Sequence, residues 1–398
     1  MILDTSFPPD IRIEKEARTL IREGYEVHLL CIGEKNQTEI VRGIVVHRFV
    51  IDESSIFKRI LHTRPLINIF HINYWAKKIL SIHKKENFSV FHCHDLTTAP
   101  YTLLAGKKAK IPVILDMHEN YPEAQRTYRS LHSKNTSILT IISYWLNRII
   151  EKICISQSFH VFTVVKERKE QLVSQGFDES KISILSNTVD IKHILRFPID
   201  NELSKRYKDK FVITYIGGFG PHRGLETLIQ SIPLINKKIS NLCVLLVGGK
   251  IAEINRLKIL CEELEIDNSV EFISWINFPK IPSYINISKI CIIPHIKSGH
   301  TDTTLPHKLF QYMLFSKPVI GTDCLPLKRI IQKCKCGIIV KSGDYKSMAQ
   351  ATFTIFNDSK LATKLGKNGK KAILEEYNWE KSEQILLMIY KRIFRLVT

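Results

Sequence analysis

The sequence predicts an α/β protein of two domains, each built on a parallel β-sheet. Its 398 residues exceed one ordinary domain, and two domains of this size can each bury a core. Short runs rich in β-branched residues alternate with helical patterns, which is typical of βαβ units. A polar stretch without clear periodicity separates two such series. The predicted ranges are 1–190 for the first domain, 191–209 for the linker, 210–376 for the second domain and 377–398 for a helical tail.

The first series opens with a very short strand at Ile2 and Leu3, which leads into a loop through Asp10. Further strands are expected where β-branched and aromatic residues cluster, and helices where apolar residues recur every three or four positions. These rules predict strands at 26–32, 44–50, 89–93, 111–116 and 159–165. They predict helices at about 11–23, 66–85, 96–108 and 166–175.

The second series opens with a strand at Phe211. Its later strands are predicted at 242–247, 270–273, 289–294, 319–322 and 337–341. Helices are predicted near Leu225, Ala252, Pro306 and Tyr345, and the tail has apolar residues at helical spacing.

The chain is strongly basic, with 58 Lys and Arg against 39 Asp and Glu and a formal net charge of +19. This balance predicts a polyanionic partner, although a generally lysine-rich proteome would also raise surface charge. In the first domain the excess lies between Glu53 and Lys134, a stretch suited to anionic lipid or a phosphorylated acceptor. Nothing interleaves aromatic and basic residues as nucleic-acid modules do, so no nucleic-acid partner is expected.

The nine cysteines are scattered, and several lie in apolar runs where a thiol acts as a small hydrophobe. Cys334 and Cys336 form the one close pair, which predicts no zinc site. We expect a cytoplasmic protein, because no signal peptide opens the chain and no uncharged run reaches membrane-spanning length. The apolar stretch 137–155 contains charged residues and predicts an amphipathic core or surface helix.

A candidate ligand site lies in the stretch 305–320, where a helix feeds directly into a β-branched strand. Pro306 suits the first helical turn, whose open amides attract a diphosphate. Pro318 ends the helix, and the strand that follows places a ligand at the carboxyl edge of a parallel sheet. Before it, the loop 294–304 has small polar residues that can present amides to a ligand, or is simply a flexible loop.

A glycine-rich turn joins the strand at Phe211 to the helix near Leu225. Glycines let backbone amides approach a phosphate, and Arg223 offers a forked, permanently charged donor. The turn is neither a Walker loop nor a complete GxGxxG motif, so an ordinary strand-to-helix turn with a solvated arginine stays open.

Polar residues follow two strands of the first domain. His94 and Asp95 end the strand at 89–93, where parallel sheets bind ligands, although a lone histidine is often only a satisfied polar residue. His92 is expected to point to the opposite face and to be structural. Around the end of the next strand, Asp116, His118 and Glu119 are candidates to bind acceptor hydroxyls or to act as a base.

The stretch 305–320 closely resembles the donor-sugar segment of the retaining, two-domain glycosyltransferases of family 4. Their usual form is a proline, a lysine, then Phe-Glu-Tyr-Met and Lys-Pro-Val. Gln311 replaces the usual Glu, Thr303 stands where another Glu is common, and Asp302 is a candidate substitute for that acid. Five segments match in order along the chain. The resemblance implies a GT-B fold: two Rossmann-like domains facing each other across a cleft, with the tail helix crossing back to the first.

The resemblance also implies roles for individual residues. Catalytic roles fall to His94, Arg223 and Lys308, the last supplying a basic charge that the glycine-rich turn lacks. Donor binding falls to Gly217, Gly218, Gly220, Asp302, Thr303, Thr304, Leu305 and Gln311. Acceptor binding falls to Asp10, Arg12, Asp95, His118 and Glu119.

The expected reaction moves a sugar from a nucleotide-diphosphate sugar to a glycan, lipid-linked or small-molecule acceptor, with retention and without a metal or other cofactor. An anionic membrane surface is a further expected partner, which would make the enzyme peripheral to the inner face of the membrane. Two alternatives stay open. One is a GT-B nucleotide-sugar epimerase, and the other is a catalytically weak partner subunit, motivated by Thr303 and Gln311.

Overall fold

The computed structural model describes residues 1–50, 68–132 and 138–397. The chain divides into two compact units. The first contains Met1–Arg126, Thr136–Ser186 and Ser382–Thr398, and the second contains Thr127–Asn135 and Asn187–Lys381. The C-terminal segment therefore belongs to the first unit. The basic stretch predicted to face lipid lies partly outside the described residues.

The first unit is built on an eight-stranded sheet with the order β3-β4-β2-β1-β5-β6-β7-β8. All neighbouring strands are parallel except β3 and β4. The strands are β1 (Ile2–Ser6), β2 (His28–Ile32), β3 (Gln37–Val41), β4 (Ile44–Phe49), β5 (Phe91–His94), β6 (Val113–Met117), β7 (His160–Thr163) and β8 (Ile182–Ile184). The helices up to this point are α1 (Ile11–Arg22), α2 (Ile69–Glu86), α3 (Ala99–Ala109), α4 (Tyr121–His132), α5 (Ile138–Gln157) and α6 (Lys166–Ser174).

The strand β3 was not predicted, and β1 is longer than the two residues expected. β3 forms an antiparallel hairpin with β4 through Arg42 and Gly43, which both have positive φ, at 53° and 83°. Two central residues of this kind match the twist of a hairpin. Because β3 is an edge strand with alternating exposed residues, its sequence lacks the apolar run of a buried strand.

The second unit is built on a six-stranded, fully parallel sheet with the order β11-β10-β9-β12-β13-β14. The strands are β9 (Phe211–Ile216), β10 (Leu242–Gly249), β11 (Val270–Ser274), β12 (Ile290–Ile293), β13 (Val319–Thr322) and β14 (Gly337–Val340). The remaining helices are α7 (Ile191–Leu195), α8 (Asn201–Arg206), α9 (Leu225–Asn236), α10 (Ile251–Glu263), α11 (Ile281–Ile287), α12 (Lys308–Leu314), α13 (Leu325–Cys334), α14 (Tyr345–Asn357), α15 (Ser359–Glu375) and α16 (Trp379–Val397). Apolar residues of β9, β10 and β12 pack with α9 and α14 into one core.

The predicted linker contains two short helices, α7 and α8, and belongs to the second unit. Asp190 accepts a hydrogen bond from the His193 amide, and Asp200 accepts one from the Leu203 amide. Side-chain caps of this kind start a helix by satisfying its free amides. Five- and six-residue helices are too short to show a period, which explains why the sequence pattern did not reveal them. Within the described residues, no helix combines the length and the hydropathy needed to cross a bilayer.

Candidate functional site

The glycine-rich turn of the second unit leads from β9 through a short 3₁₀ turn, Pro221–Arg223, into α9. Gly217 and Gly224 have positive φ, at 133° and 65°. A Cβ atom at position 224 would lie 2.1 Å from the carbonyl oxygen of Pro294, so only glycine allows this approach. The segment thus has the strand, the glycine-rich turn and the helix that its sequence predicts.

Lys308 is 8% exposed at the start of α12, beside this turn. Its Nζ lies 3.6 Å from the centroid of the Tyr215 ring. A Cβ atom added at Gly217 would lie 2.6 Å from the same Nζ, so the amine is close to the glycine-rich turn. Nζ has no hydrogen-bond partner among the described residues. Burial, and then the charge of Arg223, lowers the pKa of Lys308 well below its ordinary value. An anion bound beside Gly217 would supply the missing partner.

The helix that contains Lys308 starts later than predicted. It was expected to begin at Pro306, but α12 spans seven residues from Lys308 and ends before Ser316, which has a φ of 55°. The amide of Leu309 bonds to the carbonyl of Pro306 in a tighter turn. The candidate site therefore depends on the buried amine more than on a helix dipole. Tyr312 holds α12 in place, because its hydroxyl accepts a hydrogen bond from the amide of Ile216 at 2.9 Å.

Arg223 is half-buried and donates from Nη1 to Nε2 of His295 at 3.2 Å. An arginine cannot accept, so Nε2 of His295 carries no proton. None of the ion pairs among the described residues involves Arg223 with a carboxylate. Its guanidinium thus stays available to an anionic ligand.

Three histidines that the sequence did not single out surround Arg223: His222, His295 and His300. Burial, and then the Arg223 charge, lowers the pKa of His222 to about 2 and that of His300 to about 4. Both ring nitrogens of His222 lack a partner among the described residues, and Tyr128 packs against its ring at 4.9 Å. Neutral imidazoles with unused nitrogens suit hydrogen bonding to a polar ligand. A lone histidine in a loop carries no sequence signal of such clustering.

The loop before α12 holds its own polar groups. The hydroxyl of Thr303 donates to the carbonyl of Gly299 at 2.6 Å, and that of Thr304 donates to the carbonyl of His300 at 2.9 Å. Oδ1 of Asp302 accepts from the amide of Leu325 at 2.8 Å, at the start of α13. Asp302 therefore stabilises a helix end, which weakens its assignment as a substitute acid.

Two other predicted donor residues are buried close to Lys308 in the chain. Leu305 and Gln311 are each 8% exposed. Gln311 follows Lys308 by three residues on α12, so both side chains project from the same side of the helix. Gly218 and Gly220 complete the glycine-rich turn, and the carbonyl of Gly218 accepts from the Tyr215 hydroxyl at 2.8 Å.

In the first unit, the carboxyl ends of β5 and β6 bring the predicted polar residues together. Nδ1 of His94 and Nε2 of His118 lie 3.2 Å apart, with parallel rings at an angle of 8°. Oδ2 of Asp116 lies 3.7 Å from each of these nitrogens. The amide of His118 donates to Oδ1 of Asp95 at 3.0 Å. Burial lowers the pKa of each histidine to about 3, so both are neutral at pH 7.

The expectation that His92 points away from His94 is wrong. Their ring centroids lie 4.5 Å apart, because side chains two residues apart on a strand share a face. Nδ1 of His92 lies 2.9 Å from the hydroxyl of Tyr390 on α16. His92 thus links the polar cluster to the C-terminal segment of the same unit.

Asp10 and Arg12 form a bidentate pair at the start of α1, at 2.7 and 3.1 Å. Asp10 also caps the helix by accepting from the amides of Arg12 and Ile13. Burial opposes ionisation of Asp10, but the Arg12 charge outweighs it and lowers the Asp10 pKa. Glu119 follows His118 and its charge contributes to raising the pKa of Asp95, after the larger effect of burial.

Four buried groups of metal-ligating type lie together in this unit: Glu16, His94, Asp116 and His118, with ligand atoms within 4.8 Å of one another. Besides His118, the elements β5, β6 and α1 each contribute one group to this cluster, and Glu119 is not part of it. Burial, and then the Asp116 charge, raises the pKa of Glu16 well above its ordinary value. The raised pKa favours the protonated form of Glu16, which can donate a hydrogen bond to Asp116.

Nearby cations also count against a divalent ion in this cluster. The charge of Arg12 lowers the His118 pKa, and that of Lys15 acts on Glu16. Sequence reasoning missed Glu16 because it lies within an ordinary amphipathic helix, four residues after Arg12.

Comparison with known proteins gives two matching family models, which together span most of the chain. The model described as Glycosyltransferase Family 4 matches residues 12–193, and the one described as Glycosyl transferases group 1 matches residues 198–372. They meet near the division between the two compact units.

The chain is also similar to individual proteins. An uncharacterized glycosyltransferase of Methanocaldococcus jannaschii is 22% identical over 93% of this chain and 91% of that protein. The UDP-Gal:alpha-D-GlcNAc-diphosphoundecaprenol alpha-1,3-galactosyltransferase of Escherichia coli is 20% identical over 92% of this chain and 88% of that protein. The solved structure of Anabaena HepE in complex with UDP-glucose is 13% identical, covers 98% of each chain and has a TM-score of 0.73.

Proposed function

Because the chain belongs to the group 1 glycosyltransferases of the GT-B fold, we propose that it transfers a sugar from a nucleotide-diphosphate sugar to a glycan, lipid-linked or small-molecule acceptor. We assign the reaction to cell-surface polysaccharide or glycoconjugate synthesis. In this proposal the configuration of the sugar is retained and no metal ion is required. The names of relatives support the donor class, since one of them uses UDP-galactose and a solved neighbour binds UDP-glucose.

The observation that carries the proposal is the buried, unpartnered Nζ of Lys308 beside the glycine-rich turn. An amine held in this state destabilises the free protein, because burial without a partner disfavours its charged form. A diphosphate supplies negative oxygens, and the Arg223 guanidinium can bind a second oxygen. Both cations stabilise the charge that develops on a departing nucleoside diphosphate.

The first unit supports an acceptor role. Neutral His94 and His118 can each hydrogen-bond a sugar hydroxyl, and Asp95 and Glu119 lie beside them in the chain. Asp10 and Arg12 hold the start of α1 next to this cluster, since the Asp10 charge acts on His94. In our proposal these groups select the acceptor and orient its attacking hydroxyl.

Thermal shift of the purified protein with UDP-, GDP- and ADP-sugars tests the donor class, because a ligand that binds only the folded state raises Tm. The donor that binds is then incubated with acceptor extracts, and the anomeric configuration of the product is determined by NMR. Inverted product would refute retention. Release of a free epimerised nucleotide sugar without acceptor would replace transfer by epimerisation. Donor binding without any turnover would favour the weak partner subunit, which the Gln311 replacement motivates.

A further inference from the structure

One face of α5 carries seven large apolar side chains that are 39% to 75% exposed. They recur at intervals of three or four residues, so they form a continuous stripe along the helix. We call this set the α5 stripe: Ile138, Ile141, Ile142, Trp145, Leu146, Ile149 and Ile153. A single exposed hydrophobe needs no explanation, but a contiguous apolar patch of this kind marks an interaction surface.

The inward side of α5 contributes Cys154 and Ile155 to the apolar core of the first unit. The same side carries Glu151, which is 2% exposed and pairs with Arg148 at 3.1 Å and with buried Arg168. Glu151 is thus paired inside the unit, while the seven residues of the stripe are exposed on the other side of the helix. Packing within the unit does not account for the stripe.

Exposed cations lie around the stripe, together with a carboxylate: Glu123 on α4 is 13% exposed, lies 3.9 Å from Arg126 and accepts a hydrogen bond from the Tyr144 hydroxyl. Lys152 on α5 is exposed, and Arg126 on α4 is 62% exposed and stacks over the Tyr144 ring at 5.4 Å. Tyr144 in turn contacts Trp145, a stripe residue, with ring centroids 5.5 Å apart. The one acidic residue of α5 is the buried Glu151. The exposed face of α5 therefore combines apolar and aromatic groups with cations and presents no carboxylate.

We propose that the α5 stripe docks the first unit onto an anionic lipid bilayer, with the helix axis in the membrane plane. Apolar and aromatic side chains suit the boundary between headgroups and acyl chains, and the cations bind the anionic headgroups. The formal charge of +19 adds long-range attraction to such a surface. The same charge, with Arg126 and Lys152 at the patch, opposes pairing with a second copy of this chain. The docking surface follows from the exposure and charge of these residues alone, whereas its link to a lipid-linked acceptor rests on the proposed function.

Vesicle flotation of the full-length protein tests the docking surface. Vesicles of phosphatidylglycerol and phosphatidylcholine at equal amounts are compared with pure phosphatidylcholine, at low and high salt. We expect the protein to float with the anionic vesicles and less so at high salt, because screening shortens the electrostatic range. The combined substitution Ile142→Gln, Trp145→Gln and Ile149→Gln is expected to lower partitioning by roughly tenfold or more, since three apolar contacts are lost.

A matched control places the same substitutions elsewhere. Ile251 and Trp275 of the second unit are 76% and 68% exposed, and Ile251→Gln with Trp275→Gln is expected to partition like the unchanged protein. Arg126→Gln with Lys152→Gln is expected to reduce the preference for anionic over neutral vesicles. Thermal melts with and without the nucleotide sugar establish that each variant is folded.

Other outcomes would overturn the inference. Equal flotation of the stripe variant and the unchanged protein would place membrane binding elsewhere, and absence of flotation would exclude it. Sedimentation equilibrium without lipid addresses a second copy, because a dimer that the stripe variant converts to a monomer would make the stripe a protein interface. If the unchanged protein binds no nucleotide sugar, the proposed function is refuted, whereas the result on membrane binding still stands.

Discussion

The amine of Lys308 lies over the face of the Tyr215 ring, with Nζ 3.6 Å from the ring centroid and no hydrogen-bond partner among the described residues. The ring face offers a favourable quadrupole but no acceptor for the three N–H donors of a lysine. We infer that a ligand supplies the missing hydrogen-bond acceptor, and that the unpartnered amine lowers the stability of the free protein.

We first predict that Lys308→Met raises the Tm of the free protein while weakening nucleotide-sugar binding by roughly 1.5–3 kcal/mol, the value of a charged hydrogen bond. Stability is expected to rise because a buried amine without a partner is replaced by an apolar group of similar length. Differential scanning calorimetry and titration calorimetry measure the two effects. The exposed residue Lys328 gives the control Lys328→Met. Unchanged donor binding would exclude Lys308 from the donor site.

Arg223→Ala is expected to lower kcat/KM for the donor by about ten- to a hundredfold, because a charge-assisted contact to the diphosphate is lost. His295, the hydrogen-bond partner that this variant removes from Arg223, is still held by its backbone carbonyl, which accepts from the Thr322 hydroxyl at 2.7 Å. The fold is therefore expected to remain intact. Arg256→Ala, which removes an exposed partner of Glu226, is the matched control. Equal kinetics for the two variants would argue against the diphosphate role.

Gln311→Glu is expected to tighten the nucleotide by roughly fivefold, about 1 kcal/mol, since a carboxylate accepts stronger hydrogen bonds from ribose hydroxyls than an amide does. Lys308, three residues earlier on α12, offsets the cost of the buried charge. Gln311→Met is expected to weaken binding. Titration calorimetry with the cognate nucleotide ranks the three proteins, and weaker binding by the Glu variant would reopen the donor assignment.

The histidines of the first unit predict a dependence of stability on pH. The pKa of His118 falls from 6.5 to about 3 in the folded chain, mainly through burial. The unfolded chain therefore binds the extra proton in this window, and the free energy of unfolding decreases as pH falls below 6.5, by up to about 1.4 kcal/mol per pH unit. His118→Gln is expected to flatten this decrease in urea titrations at pH 7.5, 6.0 and 5.0. Parallel curves for the two proteins would contradict the assigned pKa.

Chelation is expected to leave activity intact, because the raised pKa of Glu16 favours its protonated form, which is a poor ligand for a metal ion. Glu16→Gln should then be tolerated, since an amide can replace a protonated carboxyl as a donor. Elemental analysis and activity before and after dialysis against EDTA test this. Activity lost with EDTA and restored by Mn²⁺ or Zn²⁺ would instead make the four-residue cluster a metal site.

Much of the architecture was predictable from the residues alone. The strands β9–β14 were each predicted, and the four central ones, β9, β10, β12 and β13, have the continuous apolar runs of strands buried on both faces. The residues at strand ends, such as His94 and Asp95, were predictable because parallel strands end at one edge of the sheet. The exposed edge strand β3 and the three-residue strand β8 lack such a signal.

What the sequence did not reveal is mainly the pairing of distant residues. His92 and Tyr390 lie 298 positions apart and meet through packing. Glu16 meets Asp116 for the same reason, and no local pattern encodes either contact. The histidines around Arg223 come from two loops, and the buried Glu151 of α5 pairs with Arg168 from another helix.

The last residues of the chain complete the first unit. Glu383 accepts from Thr19 at 2.9 Å and from Arg22 at 2.8 Å, and Tyr390 lies against His92. A gene fragment that stops at Ser186 would therefore lose these contacts between the C-terminal segment and the polar groups of α1 and β5. The first unit is encoded in separated stretches, so on the ribosome it cannot be completed until the segment Ser382–Thr398 has been synthesised. Complementation with a synthetic 382–398 peptide would be the natural way to reconstitute it from pieces.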